Sequence, residues 1–285
     1  MPEGDTVWLA AQTMNQALAS QLINRSDLRV PRLATVDLTG RTVLGVRSYG
    51  KHLFLRFDDD RTLHTHFRMD GSWHLYSPGV RWHGGPAWQI RALLSTEHVH
   101  AVGYRLPVIE MLDDAGVSAL CNRLGPDLII DDVDIVDAAS RVRKEGQRPI
   151  GETLLDQRVV AGLGLIYVSE SLFCEGLTPW LPVDQIEDVE SLVQTVSTLM
   201  RANRHHYIQT TTGQPQPDRW HFVFERAGRE CWRCGTRIEV SWQCPPPQRR
   251  LAYWCPRCQQ GPAPLPLSSA ERRALRTTGR SRYKP

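Results

Sequence analysis

Four cysteines constrain this 285-residue chain more than any other feature. Cys231, Cys234, Cys255 and Cys258 form a C-x2-C-x20-C-x2-C frame. Two thiol pairs, each at turn spacing, are what one tetrahedral zinc ion takes. The hairpin between them is too short to bury enough apolar surface to fold alone, so the metal supplies the missing free energy. One structural Zn2+ per chain is the expectation. Around the frame lie Arg226, Arg229, Arg233, Arg237, Arg249, Arg250 and Arg257. A rigid hairpin studded with arginine matches a polyanion, and nucleic acid is the first candidate.

The charge is distributed to the same effect. The net charge is +3, but residues 201–285 hold 16 Lys+Arg against 5 Asp+Glu, leaving a balance of −8 on the rest. A basic C-terminal third on an acidic body is a localised electrostatic footprint. No apolar run is long enough to span a bilayer, and the N-terminus lacks the basic and apolar segments of a secretory signal. A cytoplasmic protein is expected, associated with the nucleoid through DNA. Seven cysteines there serve as metal ligands or buried thiols more readily than as disulfides. Cys121, Cys174 and Cys244 are expected to be buried small hydrophobes.

Hydrophobic patterning divides the chain. Asp5 would cap a helix over residues 6–20, with Val7, Ala11, Met14 and Leu18 on its apolar face. Short strands follow at 41–46, 51–57, 61–67, 73–76, 89–94 and 108–112. In the second of them Leu53, Leu55 and Phe57 share a face. These strands predict a sandwich of two sheets, with 77–86 as a loop. Leu124-Gly125-Pro126-Asp127 reads as a domain exit. Residues 131–137 begin a connector or first helix. Leu154, Leu155 and Val159 fit a helical face. Helices are expected over 165–175 and 184–203, with a loop at 210–217. The Pro- and Arg-rich residues 261–285 read as a disordered basic tail.

Two local features carry chemistry. Gly162-Leu163-Gly164 breaks a helical run. Such a turn is commonly just a tight connection between helices, but it can also aim backbone N–H groups at a phosphate. At the other end, Met1 precedes a small residue, so Pro2 is the expected mature N-terminus, a secondary amine. An α-amino group has a pKa of about 7.7–8.0, and the positive end of a nearby helix lowers it further. Such an amine attacks an aldehyde-like carbon to give an iminium ion, and Glu3 beside it can move protons.

Five separated motifs occur in order: Met1-Pro2-Glu3-Gly4; Gly50-Lys51 at a strand start; His66-Phe67-Arg68-Met69-Asp70-Gly71-Ser72; the run from Leu155 to Gly164; and Arg250 followed by Cys255-Pro256-Arg257-Cys258. Together they resemble the formamidopyrimidine-DNA glycosylase/endonuclease VIII family of base-excision repair, most closely its actinobacterial endonuclease VIII branch. The likeness spans residues 1 to about 260 and implies an α+β fold. Its parts would be a two-sheet β-sandwich catalytic domain with flanking helices (1–126), a helix-two-turn-helix DNA-binding domain (127–224), a zinc-finger hairpin (225–262) and the tail (263–285).

The resemblance also implies roles. The protein would be a bifunctional glycosylase and abasic-site lyase acting on damaged DNA. Pro2 would attack C1′ of the damaged nucleotide, and Glu3 would protonate the ring oxygen as the sugar opens. β,δ-Elimination would then cleave the strand. Lys51 matches the strand lysine that contacts phosphate near the lesion. Gly162 and Gly164 match the phosphate-binding turn, and Arg250 matches the arginine that grips phosphates with a guanidinium fork. Met69 stands at the wedge position that fills the space of an extruded nucleotide, although core packing would explain a methionine equally well. No small-molecule cofactor and no membrane partner are implied, and a monomer is expected.

Two departures stand out. The family turn reads Gly-x-Gly-Asn, and Leu165 replaces the asparagine, removing one side-chain phosphate contact. The Arg-x-Phe pair that oxidised-purine enzymes insert has no counterpart in 97–105, which favours oxidised pyrimidines. Two other classes compete. Leu165 argues for a catalytically silent lesion-sensing protein of the same fold. The N-terminal proline alone would also suit a tautomerase, which needs no basic zinc module.

Overall fold

Alternation of buried and outward residues along short strands sets the architecture of this computed structural model, which describes residues 2–271 and 273. The chain forms two compact units. The first comprises Met1–Val133 with Val160–Gly162 and Met200–Tyr207. The second comprises Asp134–Val159, Leu163–Leu199 and Ile208–Pro285. Two inner segments of the helical half therefore belong to the N-terminal unit.

In the first unit, α1 (Gly4–Leu18) precedes β1 (Arg25–Leu28), β2 (Val43–Tyr49), β3 (His52–Phe57), β4 (Thr62–His66), β5 (Ser72–Tyr76), β6 (Ile90–Ser95), β7 (His100–Tyr104) and β8 (Val108–Leu112). The short α2 (Asp114–Cys121) closes it. The strands form two antiparallel sheets, ordered β1-β6-β7-β5 and β2-β3-β4-β8. Leu53, Leu55 and Phe57 enter the common core, as their spacing predicts. Val7, Ala11, Met14 and Leu18 of α1 join them with Ala92, Leu94 and Ala101 from the other sheet. Full burial of each large side chain contributes about 1.5–3 kcal/mol, so this core fixes the scaffold under the N-terminus. Trp73 donates its indole N–H to Thr65 Oγ1 at 3.2 Å.

Helix α1 starts at Gly4, not after an Asp5 cap. Glu3 takes the cap position and makes no side-chain capping bond. Asp5 lies buried in the first turn, where the positive end of the helix suits its charge. The Gly4 N–H, the first of those a helix leaves without an internal partner, donates to the distant carbonyl of Gly162 at 2.8 Å. The sequence pattern also passes over β1, β7 and α2, which are short and lack clean alternation.

The second unit holds α3 (Ile135–Arg143), α4 (Ile150–Leu155), α5 (Leu165–Cys174), most of α6 (Val189–Asn203), and the hairpin β9 (Glu239–Gln243) and β10 (Arg250–Trp254). Asp134 caps α3 by accepting the Asp137 N–H at 2.9 Å. Helix α4 ends before Val159 because the Asp156 carboxylate is engaged by Arg158 and Arg148 in the turn that follows. The expected 184–203 helix begins only at Val189, since Asp188 accepts the Ser191 N–H at 2.8 Å. Cys121, Cys174 and Cys244 are half-buried, not buried. The tail read as disordered begins with a packed stretch: Leu267 is buried, and its N–H donates to the Val240 carbonyl. Its residues 272 and 274–285 lie outside the described residues, as does Met1.

Candidate functional site

Within the first unit, backbone contacts gather three of the sequence motifs at Gly162. A Cβ on Gly4 would fall 3.0 Å from the Gly162 Cα and 3.1 Å from its oxygen, so this approach needs glycine at position 4, while Gly162 itself has φ +94, a conformation that favours glycine. Glu3, immediately before, is fully buried, and Pro2 is half-buried. Gly50 and Lys51 are the two turn residues between β2 and β3, where Tyr49 pairs with His52. Gly50 has φ +55, the left-handed conformation that a tight hairpin needs at its first turn position. A Cβ there would lie 3.0 Å from the Ala161 Cβ and 3.3 Å from the Gly162 nitrogen. Residues flanking Pro2, Glu3 and Lys51 thus meet on one short segment.

Asp127 sits behind this meeting point, 1 % exposed. Its Oδ2 accepts the Gly50 N–H at 2.7 Å, and Oδ1 accepts the Ile129 N–H at 3.3 Å. Burial pushes its carboxyl above the ordinary range, partly offset by the two donated N–H groups. In the sequence Asp127 reads only as part of a domain exit.

Three histidines line the outward face of β3 and β4 beside the Lys51 turn. His52 Nδ1 meets His64 Nε2 at 2.9 Å, and His64 Nδ1 faces Glu110 at 3.3 Å. His66 Nδ1 accepts the Arg68 N–H at 2.9 Å, which requires a neutral ring. Burial, then neighbouring positive groups, push His52 down to about 3 and His66 down to about 4. The bond to His66 secures Arg68 at φ +47 and so shapes the turn carrying Met69. Met69 is 62 % exposed, which removes core packing as its role. None of these histidines was singled out in the sequence as a site residue. Their signal was the alternation His52, His64, His66 on one outward face.

In the second unit, Gly164 occupies the N-cap of α5 and Leu165 its first position. Farther along α5, fully buried Glu170 accepts the N–H groups of Phe222, Val223 and Phe224 at 2.7–2.8 Å, and the Thr211 hydroxyl. One carboxylate thereby anchors the chain just ahead of the cysteine module. A charged residue amid the apolar surface of α5 was the signal for it.

The four predicted thiols converge. All four sulfurs lie within 4.8 Å of one another, with Cys231–Cys258 at 3.9 Å and Cys234–Cys255 at 3.4 Å. Zn–S bonds of about 2.3 Å place tetrahedral sulfurs about 3.8 Å apart, so the donor set fits a metal of that kind. Phe173, Val223 and Ile238 back the cluster. Arg226 does not join the basic surface: it is buried, donates to the Phe222 and Glu230 carbonyls, and stacks on Trp232 at 3.7 Å. Arg250, opening β10, is exposed, as are Arg229, Arg233, Arg237, Arg249 and Arg257. No helix among the described residues is long and apolar enough to cross a membrane.

Fold and residues together define a class. The family model for the formamidopyrimidine-DNA glycosylase N-terminal domain matches residues 1–105, and that for the formamidopyrimidine-DNA glycosylase H2TH domain matches residues 124–212. A Streptomyces coelicolor protein named "Probable endonuclease 8 2" is 50 % identical over 268 residues, covering 93 % of this chain and 96 % of its own. The Mycolicibacterium smegmatis "DNA-(apurinic or apyrimidinic site) lyase Nei2" is 39 % identical over 259 residues, covering 91 % and 99 %. Among solved structures, MutM in complex with DNA containing carbocyclic 8-oxo-G superposes with a TM-score of 0.76 at 24 % identity, over 91 % of this chain and all of that one. This chain belongs to the formamidopyrimidine-DNA glycosylase family, with endonuclease 8 proteins among its relatives.

Proposed function

We propose that this protein is a bifunctional DNA glycosylase and abasic-site lyase of base-excision repair, working through the N-terminal proline on oxidised pyrimidines. The observation that carries the reading is the convergence at Gly162 of the segments bearing Pro2, Glu3 and Lys51. A nucleophile, a proton-transfer group and a phosphate-binding cation then share one site. The Pro2 nitrogen bonds to C1′, and the glycosidic bond breaks with its electrons leaving on the base. Buried Glu3 holds the proton that the ring oxygen takes as the sugar opens. Loss of a C2′ proton from the iminium expels the 3′ phosphate, and a second elimination expels the 5′ phosphate. The target must leave the base stack before an amine can reach C1′. Met69 would occupy the gap, a role its exposure supports.

The remaining assignments concern DNA and metal. Lys51, Gly162, Gly164 and Arg250 take backbone phosphates, and Met69 contacts the opened stack. Zn2+ held by Cys231, Cys234, Cys255 and Cys258 would cross-link the hairpin that presents Arg250. The functional parts run as 1–126 for catalysis, 127–224 and 225–262 for DNA grip, and 263–285 as an appendage. The setting is the cytoplasm, where the DNA is, and the working form is a monomer.

Leu165 keeps a second reading open: a DNA-binding lesion sensor of the same fold that performs no chemistry. Borohydride separates them. With abasic-site DNA, reductant should freeze the iminium as a covalent protein–DNA complex, and Pro2→Gly should abolish it. A folded wild-type protein that binds this DNA yet is never trapped would establish the silent reading.

A further inference from the structure

Three pieces of backbone bear on the reading of Pro2 and Lys51, and Asp127 touches or abuts each. Its Oδ2 takes the Gly50 N–H and so ties down the Lys51 turn. Its backbone bridges to Ala161 in parallel, with the Ala161 N–H donating to the Pro126 carbonyl at 2.8 Å. A Cβ on Gly162 would lie 3.3 Å from its Oδ1, and the Gly162 carbonyl holds the Gly4 N–H. The neighbouring Gly125 carbonyl accepts the Tyr49 hydroxyl at 3.0 Å, fixing the same hairpin from its other side.

The chemistry of the side chain is unexpected for mere packing. A carboxylate in a buried place carries a desolvation penalty that a neutral side chain of like shape avoids. Both of its hydrogen bonds go to backbone N–H groups, where the geometry they fix is what the charge achieves. Residues that break the local economy of a core concentrate where function demands it.

We infer that Asp127 is a positioning residue of this enzyme, registering the Lys51 turn against the Gly162 segment that fixes the N-terminal nucleophile. This rests on the reading of Pro2 and Lys51 above. Asp127 does not touch the sugar. It sets the distance over which the amine and the phosphate-bound Lys51 act on the same nucleotide. Displacements of about 1 Å at such a site cost up to about a hundredfold in rate.

The test uses the full zinc-loaded chain with abasic-site DNA, comparing wild type, Asp127→Asn and Asp127→Ala. Three quantities are read: DNA affinity, the single-turnover rate of borohydride trapping, and the melting temperature. Asparagine keeps one acceptor oxygen and nearly the same shape, so it guards against an unfolded alanine variant. Positioning predicts a trapping rate lower by about tenfold or more in Asp127→Asn, with affinity within about twofold of wild type. Unchanged trapping rates in both variants would overturn the inference while leaving Pro2 chemistry intact. So would a rate loss matched by equal losses of affinity and melting temperature, the mark of a purely structural role. Absence of trapping in wild type sinks the Pro2 reading first, and this inference with it.

Discussion

Acid should destabilise this protein through His52 and His66, by an amount that can be worked out. Both rings are largely buried beside Lys51, with Arg123 acting on His52, Arg68 on His66, and His64 on both. Their folded pKa values, about 3 and about 4, lie below the ordinary 6.5. The unfolded chain therefore takes up protons first as the pH falls through 6.5. The stabilising difference is complete above that value and is lost progressively down to the folded values. At about pH 5 a ring that titrates at about 6.5 when unfolded, and stays neutral when folded, has forfeited about 2 kcal/mol. Residual exposure and coupling between the rings reduce the pair's sum to about 2 kcal/mol, still a large share of a typical stability of about 5–15 kcal/mol. Protonating His66 would also remove the acceptor for the Arg68 N–H and release the Met69 turn. The assay is urea unfolding of the zinc-loaded chain at about pH 7.5 and about pH 5, for wild type and for a His52→Gln/His66→Asn double variant. Comparing the two proteins cancels the acid sensitivity of the thiols and the other histidines. The double variant should lose about 2 kcal/mol less than wild type across that interval. Equal losses in both proteins would refute the burial argument.

Three further outcomes are expected. Cys231→Ser should lose bound zinc and DNA affinity together, because one ion closes the whole hairpin; metal content of about one per chain in that variant would exclude Cys231 as a ligand. Arg250→Ala should weaken DNA binding evenly across sequences and reduce the salt slope by about 1, checked by titration at several ionic strengths. Gly50→Ala places a Cβ 3.0 Å from that of Ala161 at φ +55, and should cost about 1–3 kcal/mol in melting experiments while slowing trapping; a neutral result would show that the turn can relax.

Much of this was readable in the chain because the relevant physics is local. Turn-spaced thiols find one another wherever the hairpin sits, and Cys231, Cys234, Cys255 and Cys258 do converge. Period-two alternation placed Leu53, Leu55 and Phe57 in the core, since a pleated strand can face only two ways. Local signals failed where a distant partner substituted for a local one. Asp5 looked like a cap, but the helix already begins at Gly4, whose N–H finds the distant carbonyl of Gly162. Arg226 looked like part of the basic surface, yet it is spent inside the module on carbonyls and Trp232.

The order of residues alone determined the four-cysteine frame, the strand faces, the basic C-terminal third and the motifs that mark the family. Each depends on spacing or composition, which folding does not alter. Only the tertiary structure decided that Gly4 and Gly50 each close on the Gly162 segment, that Asp127 ties down the Lys51 turn, that Glu170 anchors Phe222–Phe224, and that Met69 stands in solvent. Those facts join residues dozens of positions apart, and such pairs acquire a distance only once the whole core has closed around them.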